Sequence, residues 1–193
     1  MSVVIAYKKG DTVYMGADSK RSKGEFTSAL DPKYDTKIYK INGGMLIGAV
    51  GTVGCIQTMV DNRNEWFDTK GKPLTKKFIV QNVIPKFYES LKKENKIKND
   101  KDKPPISKCC FCVTDGKKMF HIDDDFTVIE RSDYFAIGCT DYIAYAHIRY
   151  TKKEEPNEII LDALRGSVYR NDGVGKPYIL IDTENFKITE VKE

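Results

Sequence analysis

The stretch that decides how this chain is read is its first twenty residues, MSVVIAYKKGDTVYMGADSK (residues 1–20). Two runs within it, 3–8 (VVIAYK) and 12–17 (TVYMGA), are rich in β-branched and aromatic residues. Lys9-Gly10-Asp11 between them has the composition of a tight hairpin turn. The first strand therefore starts two residues from the terminus, although chain ends ordinarily fray and carry little. Ser2, small and hydroxylated, stands directly behind Met1. A terminus with no slack ahead of its first strand is expected to be a working part.

Outward from there, residues 19–36 read as polar, turn-rich chain. Strands follow at 37–41 (KIYKI) and 45–50 (MLIGAV), joined by Asn42-Gly43-Gly44. At Gly51-Thr52 the apolar period changes, and Val53, Ile56, Val60 and Phe67 share one helical face. A second helix is expected over about 75–93, with Pro85 kinking or breaking it. Strands return at 109–113 (CCFCV), 118–122 (KMFHI), 126–130 (FTVIE) and 134–138 (YFAIG). Helices over about 140–151 and 157–169 precede two last strands, 177–182 (PYILID) and 186–190 (FKITE). Consecutive hairpins imply antiparallel sheets, and paired helices between them imply cover on the outer faces. The expectation is an α+β fold, a four-layer αββα sandwich, with residues 1–193 forming one domain.

The bulk properties narrow the setting. The 193 residues carry a formal net charge of +4. Most of that excess sits in KKENKIKNDKDKPP (92–105), which reads as a solvated, mobile loop and not as a nucleic-acid or membrane patch. No apolar run approaches the roughly 18 residues of a membrane span, and the N-terminus has no signal-peptide core. The five cysteines are odd in number and lack a secreted-scaffold spacing, which points to a reducing cytoplasm.

The strand and helix order, with the opening stretch, resembles the proteasome β-subunit family of N-terminal-nucleophile (Ntn) hydrolases, including the bacterial proteasome-like peptidase that works with an ATP-driven unfoldase. Four places carry the resemblance by residue. Gly16-Ala17-Asp18-Ser19 is similar to the family's strand-ending motif, and Thr36-Lys37-Ile38 to the start of the strand that supplies its lysine. Gly48-Ala49-Val50-Gly51 resembles the strand-to-helix glycine motif, whose first glycine gives an oxyanion-binding amide. Ala136-Ile137-Gly138-Cys139-Thr140 resembles the entrance to the third helix. The resemblance implies that Ser2, uncovered by loss of Met1, is the nucleophile, with Asp18, Lys37 and the Gly48 amide around it. It also implies a peptide or unfolded-protein substrate and a homo-oligomeric ring; an ATP-dependent unfoldase is a partner that nothing in the chain requires.

Three positions depart from the family pattern. The segment between Asp18 and Lys37 is about three residues longer, and Cys139 stands where serine is frequent. Near the end, Arg170-Asn171-Asp172-Gly173-Val174 replaces Arg-Asp-x-x-Ser, which puts Asn171 at the acid's place and Val174 at the serine's. A shift of one residue recovers Asp172. Cys139, Asn171 and Asp172 are thereby the supporting residues, and the changes at Asn171 and Val174 keep open an alternative, a catalytically inactive assembly or binding protein on the same fold, which retention of Ser2, Asp18 and Lys37 opposes.

The chemistry of the residues agrees with the enzyme reading. A serine hydroxyl needs a base, and the α-amine of a trimmed Ser2 has an ordinary pKa of about 7.7–8.0, near working pH. A cation at Lys37 lowers that value further. Asp18 would hold Lys37, and a backbone amide would steady the tetrahedral oxyanion. No cofactor or metal is expected. Cys109 and Cys110 are adjacent on a strand and point to opposite faces, and the chain has two histidines. His121 with Asp123, Asp124 and Asp125 reads as a solvated hairpin tip, and His147 as a packing or interface residue.

Overall fold

The computed structural model describes residues 1–23, 26–31, 35–97 and 104–192. In chain order it begins with β1 (Val3–Lys9) and β2 (Thr12–Asp18), paired so that Val4 faces Ala17 and Lys9 faces Thr12. Gly10 takes a φ of +62° in the turn between them. Next come β3 (Lys20–Lys23), β4 (Phe26–Ala29), β5 (Ile38–Ile41) and β6 (Met45–Gly51), then α1 (Val53–Trp66). A continuous helical stretch follows: α2 (Lys76–Phe78), a π-helical turn (Ile79–Val83) and α3 (Ile84–Lys93). The second half contains β7 (Cys109–Thr114), β8 (Met119–Ile122), β9 (Val128–Arg131) and β10 (Tyr134–Gly138). It ends with α4 (Asp141–Tyr150), α5 (Pro156–Arg170), β11 (Tyr178–Asp182) and β12 (Thr189–Val191).

Ten of these strands form two antiparallel sheets, ordered β10-β1-β2-β11-β12 and β5-β6-β7-β8-β9. Alternation along β1 shows how the layers stack. Val3 and Ile5 pack with Ala144, Ile160 and Leu164 of α4 and α5. Val4 and Ala6 point the other way, to meet Leu46, Val50 and Cys112 of the second sheet. The far face of that sheet, with Ile47 and Phe111, is covered by Met59 and Trp66 of α1 and Phe87 of α3. Both faces of each sheet are thus apolar, which is why the inner strands read as unbroken hydrophobic runs. The result is the expected αββα sandwich.

Five details differ from the sequence reading. The last strand, expected over 186–190, is β12 at Thr189–Val191, because Phe186 takes φ +56° in a turn closed by its N–H to Asp182 O. The polar segment after Asp18 contains the β3–β4 hairpin, in which Lys20 pairs with Ala29. With little apolar surface to bury, its strands leave no hydrophobic alternation to detect. Pro85 neither breaks nor ends the helical stretch. The Ile84 N–H donates to Ile79 O, five residues back, and this wider turn sets Pro85 in the first turn of α3, where a missing N–H does no harm. Phe126, expected to start a strand, instead has φ +68° in a turn closed by its N–H to Asp123 O, and β9 begins at Val128.

The start of the lysine-rich run is anchored. Lys92 and Lys93 complete α3, Ile97 joins the core, and Lys96 Nζ donates to Gly54 O at 2.8 Å and to Thr58 Oγ1 at 2.9 Å. Its residues 98–103 lie outside the described residues. Among the described residues, no helix is long and apolar enough to cross a membrane.

Candidate active site

Asp18, the last residue of β2, is the hub of the site. It is 1% exposed, and its carboxylate accepts hydrogen bonds from four donors. Oδ1 takes the Val3 N–H at 2.9 Å and the Lys37 ammonium at 2.6 Å. Oδ2 takes the Lys20 N–H at 3.1 Å and the Gly175 N–H at 3.2 Å. A buried carboxylate is tolerable only with this kind of satisfaction. One side chain thereby joins the start of β1, the hairpin root and the loop after α5.

Lys37 immediately precedes β5 and is 8% exposed. Its ammonium also donates to Lys20 O at 2.7 Å. Burial holds its pKa below the ordinary lysine value, and the Asp18 charge and hydrogen bond oppose that fall. Because Lys37 Nζ and the Val3 N–H share one carboxylate oxygen, the cation sits beside the first bonds of β1. Ser2 and Lys37 line one cavity, together with Met1, Ala49 and Gly51.

Ser2 is held from the side of β10. Its carbonyl accepts the Cys139 N–H at 3.0 Å, and Cys139 Sγ lies 3.5 Å from the same oxygen. Asn171 Nδ2 is 3.6 Å from Cys139 Sγ, while Asn171 Oδ1 accepts the Gly173 N–H at 2.8 Å. The Asp172 carbonyl, not its carboxylate, is engaged here, by the Lys20 ammonium. Val174 is buried with the α4–α5 layer. Asn171 and Cys139 therefore meet beside Ser2. In the untrimmed chain the Ser2 hydroxyl donates to Met1 O at 2.6 Å.

Gly48 stands apart from this group. It lies mid-strand in β6, opposite Ile38 on one side and Cys112 on the other. The Ala49 N–H donates to Lys37 O, so alternation turns the Gly48 N–H toward β7 and into the ladder. A Cβ there would lie 2.6 Å from Val4 Cγ1 and 2.8 Å from Met15 Cε, so this glycine serves close packing of the two sheets.

Gly51 is the glycine at the site. It ends β6 with φ +121°, and a Cβ would overlap Lys108 O and lie 2.6 Å from Cys109 Cα. The same alternation aims its N–H to the β5 side, beyond the first residue of that strand, where Ser2 and Lys37 line the cavity. A mid-strand amide is used by its neighbours, whereas one at the strand's end is available, and the pairing of β6 is what tells the two glycines apart.

The cysteines divide as alternation requires. Cys109 faces the helix-covered layer beside Cys55, and Cys110 and Cys112 face the space between the sheets. Hydrogen bonding to Cys109 holds the Cys55 thiol below its ordinary value, against the effect of burial and with help from Lys96 and Lys108. Burial, with the nearby Asp123 charge, pushes the Cys110 thiol up to about 12. His147, away from the site, packs over Gly166 between α4 and α5 with Nδ1 3.4 Å from Asp162 Oδ2.

Two antiparallel sheets between helix pairs, with a hydroxylated residue at the head of an inner strand, are the architecture of the Ntn proteins. The chain belongs to the proteasome subunit family: the profile of the family described as "Proteasome subunit" matches residues 2–178.

Solved structures agree on the fold. BPH from Thiobacillus denitrificans superposes with a TM-score of 0.73 at 14% identity, covering 98% of each chain. The same protein is also seen in complex with epoxomicin (TM-score 0.70, 13% identity, 99% of this chain and 100% of that one). Anbu, an ancestral β-subunit from Yersinia bercovieri, gives a TM-score of 0.72 at 16% identity, over 99% of this chain and 87% of that one. HslV from Trypanosoma brucei gives 0.66 at 18% identity, over 93% and 98%. The Anbu complex from Pseudomonas aeruginosa, seen as a helical assembly, gives 0.72 at 14% identity, over 99% and 87%. No curated protein sequence matches the chain.

Proposed function

We propose that this chain, once Met1 is removed, is a peptidase of the Ntn type with Ser2 as nucleophile. The observation that carries the reading is the Asp18 carboxylate shared between the Val3 N–H and the Lys37 ammonium, beside the nitrogen that trimming would free. That cation would favour the unprotonated amine. The Ser2 Oγ attacks the substrate carbonyl while its proton passes to the Ser2 α-amine. The oxyanion is met by the Gly51 N–H, which takes the role the family comparison gave to Gly48. Collapse breaks the C–N bond as the amine returns the proton to the leaving nitrogen. A water then attacks the ester, gives its proton to the amine, and releases the acid as Ser2 regains its hydroxyl.

Support for a peptide substrate comes from family membership and from the epoxomicin complex of the T. denitrificans relative. The helical assembly of the P. aeruginosa relative supports a homo-oligomer, to be measured by size-exclusion with light scattering. A cytoplasmic location and an ATP-driven unfoldase belong to the same proposal.

The test combines two measurements. Intact mass of untagged protein should be lower by one methionine. Hydrolysis of fluorogenic peptides should fall by at least about 10³-fold in Ser2→Ala. Quantitative retention of Met1, or activity that survives Ser2→Ala, would overturn the reading and leave the non-catalytic alternative.

A further inference from the structure

A second cavity, of about 570 Å³, opens on the other side of Ser2, and Cys110, His121 and Asp123 form part of its wall. His121 and Asp123 are two residues apart along the end of β8, so their side chains share a face. Cys112 is opposite His121 in the β7–β8 register. One pleat along, Cys110 Sγ lies 3.4 Å from Asp123 Oδ1. The thiol, a ring nitrogen of His121 and a carboxylate oxygen of Asp123 all lie within 4.8 Å of one another. His121 Nε2 is enclosed yet has no hydrogen-bond partner among the described residues. A thiol hydrogen-bonded to a carboxylate would account for Cys110 and Asp123, but it leaves that nitrogen unexplained.

We propose that Cys110, His121 and Asp123 bind a borderline transition-metal ion of the Zn²⁺ kind on the wall of this cavity, which Ser2 also lines. The donor set selects the ion class. Magnesium and calcium take oxygen ligands, whereas a mixed set of sulfur, imidazole nitrogen and carboxylate suits zinc and its neighbours. Bonds of about 2.0–2.3 Å place tetrahedral donors about 3.3–3.8 Å apart, so Cys110 and Asp123 are already spaced for it and the His121 nitrogen needs to draw in by at most about 1.5 Å. The fourth position faces the cavity. Asp124 and Asp141, also on that wall, add negative charge, opposed by Lys108 and the Met1 terminus on the same wall and by Arg131 close to His121. On binding, the Cys110 thiol passes its proton to solvent and the thiolate becomes a ligand. None of this depends on Ser2 being a nucleophile.

Cobalt(II) is the probe, because a thiolate ligand gives it a sulfur-to-metal charge-transfer band. Purified protein should take up one Co²⁺ per chain with such a band, and Zn²⁺ should displace it. Cys110→Ser should abolish the band, and His121→Ala should weaken binding at least about tenfold. Cys139→Ser, which removes another thiol lining the cavity, should leave the band unchanged, as should Ser2→Ala. A second measurement needs no variant: Zn²⁺ should shield Cys110 from alkylation in peptide mapping of the wild-type protein. Absence of Co²⁺ uptake, a band that follows Cys139 in place of Cys110, or alkylation of Cys110 unaffected by Zn²⁺ would overturn the proposal.

Discussion

Gly138 lies directly against Ser2. A Cβ at Gly138 would overlap the Ser2 carbonyl oxygen, lie 2.9 Å from its carbon and reach to 3.1 Å of Val3 Cα. Gly138 also has φ +119°, and the next residue, Cys139, donates its N–H to that same carbonyl. The missing side chain lets the end of β10 clamp the residue that immediately precedes β1.

Gly138→Ala is therefore expected to lower stability by at least about 2 kcal/mol and to abolish peptide hydrolysis, since both backbone strain and overlap fall on Ser2. Gly10→Ala is the control. It too has positive φ, but nothing lies within 4 Å of the added carbon, so it should cost only about 1 kcal/mol and leave turnover intact. Urea unfolding of both variants gives the comparison.

Removing either partner of the Asp18–Lys37 pair leaves an uncompensated charge in a buried place. Asp18→Ala and Lys37→Ala should each cost about 3–5 kcal/mol. The double variant should be more stable than the sum of the two losses implies, because the second change removes the stranded charge. Additive losses in chemical denaturation would show that the two groups do not act as a pair.

Lys37 also makes an alkaline prediction. Burial lowers its pKa in the folded chain below the ordinary 10.5, so between the two values the unfolded chain holds a proton that the folded chain has released. Unfolding then takes up a proton, and stability from this group rises with pH across that window. Below the folded pKa and above 10.5 the slope vanishes. Urea titrations of wild type against Lys37→Met, stepped from neutral pH toward 10.5, should show a difference that grows in favour of wild type; a constant difference contradicts the assignment.

Phe87 of α3 meets Phe111 edge-on at 5.5 Å and also contacts the rings of Trp66 and Phe126. Phe87→Ala should destabilise by about 3–5 kcal/mol. The cluster lies on the far side of the second sheet from Ser2, so the KM for a peptide substrate should be unchanged at temperatures where the variant remains folded.

The layered fold was legible because its signals are local. The unbroken strand-forming runs at 3–8 and 45–50, the period change at Gly51-Thr52 and the turn residues at Lys9-Gly10-Asp11 each act over a few positions. The β3–β4 hairpin escaped because KRSK (20–23) carries no apolar alternation. The π-helical turn before Pro85 escaped because its hydrogen bonds, rather than its composition, distinguish it. Ser2, Asp18 and Lys37 were nameable from order and residue type. Choosing Gly51 over Gly48 required the direction of an amide, which follows from strand pairing. Cys110, His121 and Asp123 belong to two strands, and their meeting depends on register, which no spacing along the chain announces.

β1 is paired on both sides, with Val3 opposite Gly138 on one flank and Val4 opposite Ala17 on the other, while the Val3 amide is tied to Asp18. An aminopeptidase feeds on slack ends. Were it to take Met1, it would have to peel a central thread out of its weave to take Ser2, so digestion would halt one step in and leave a uniform population beginning at the hydroxyl.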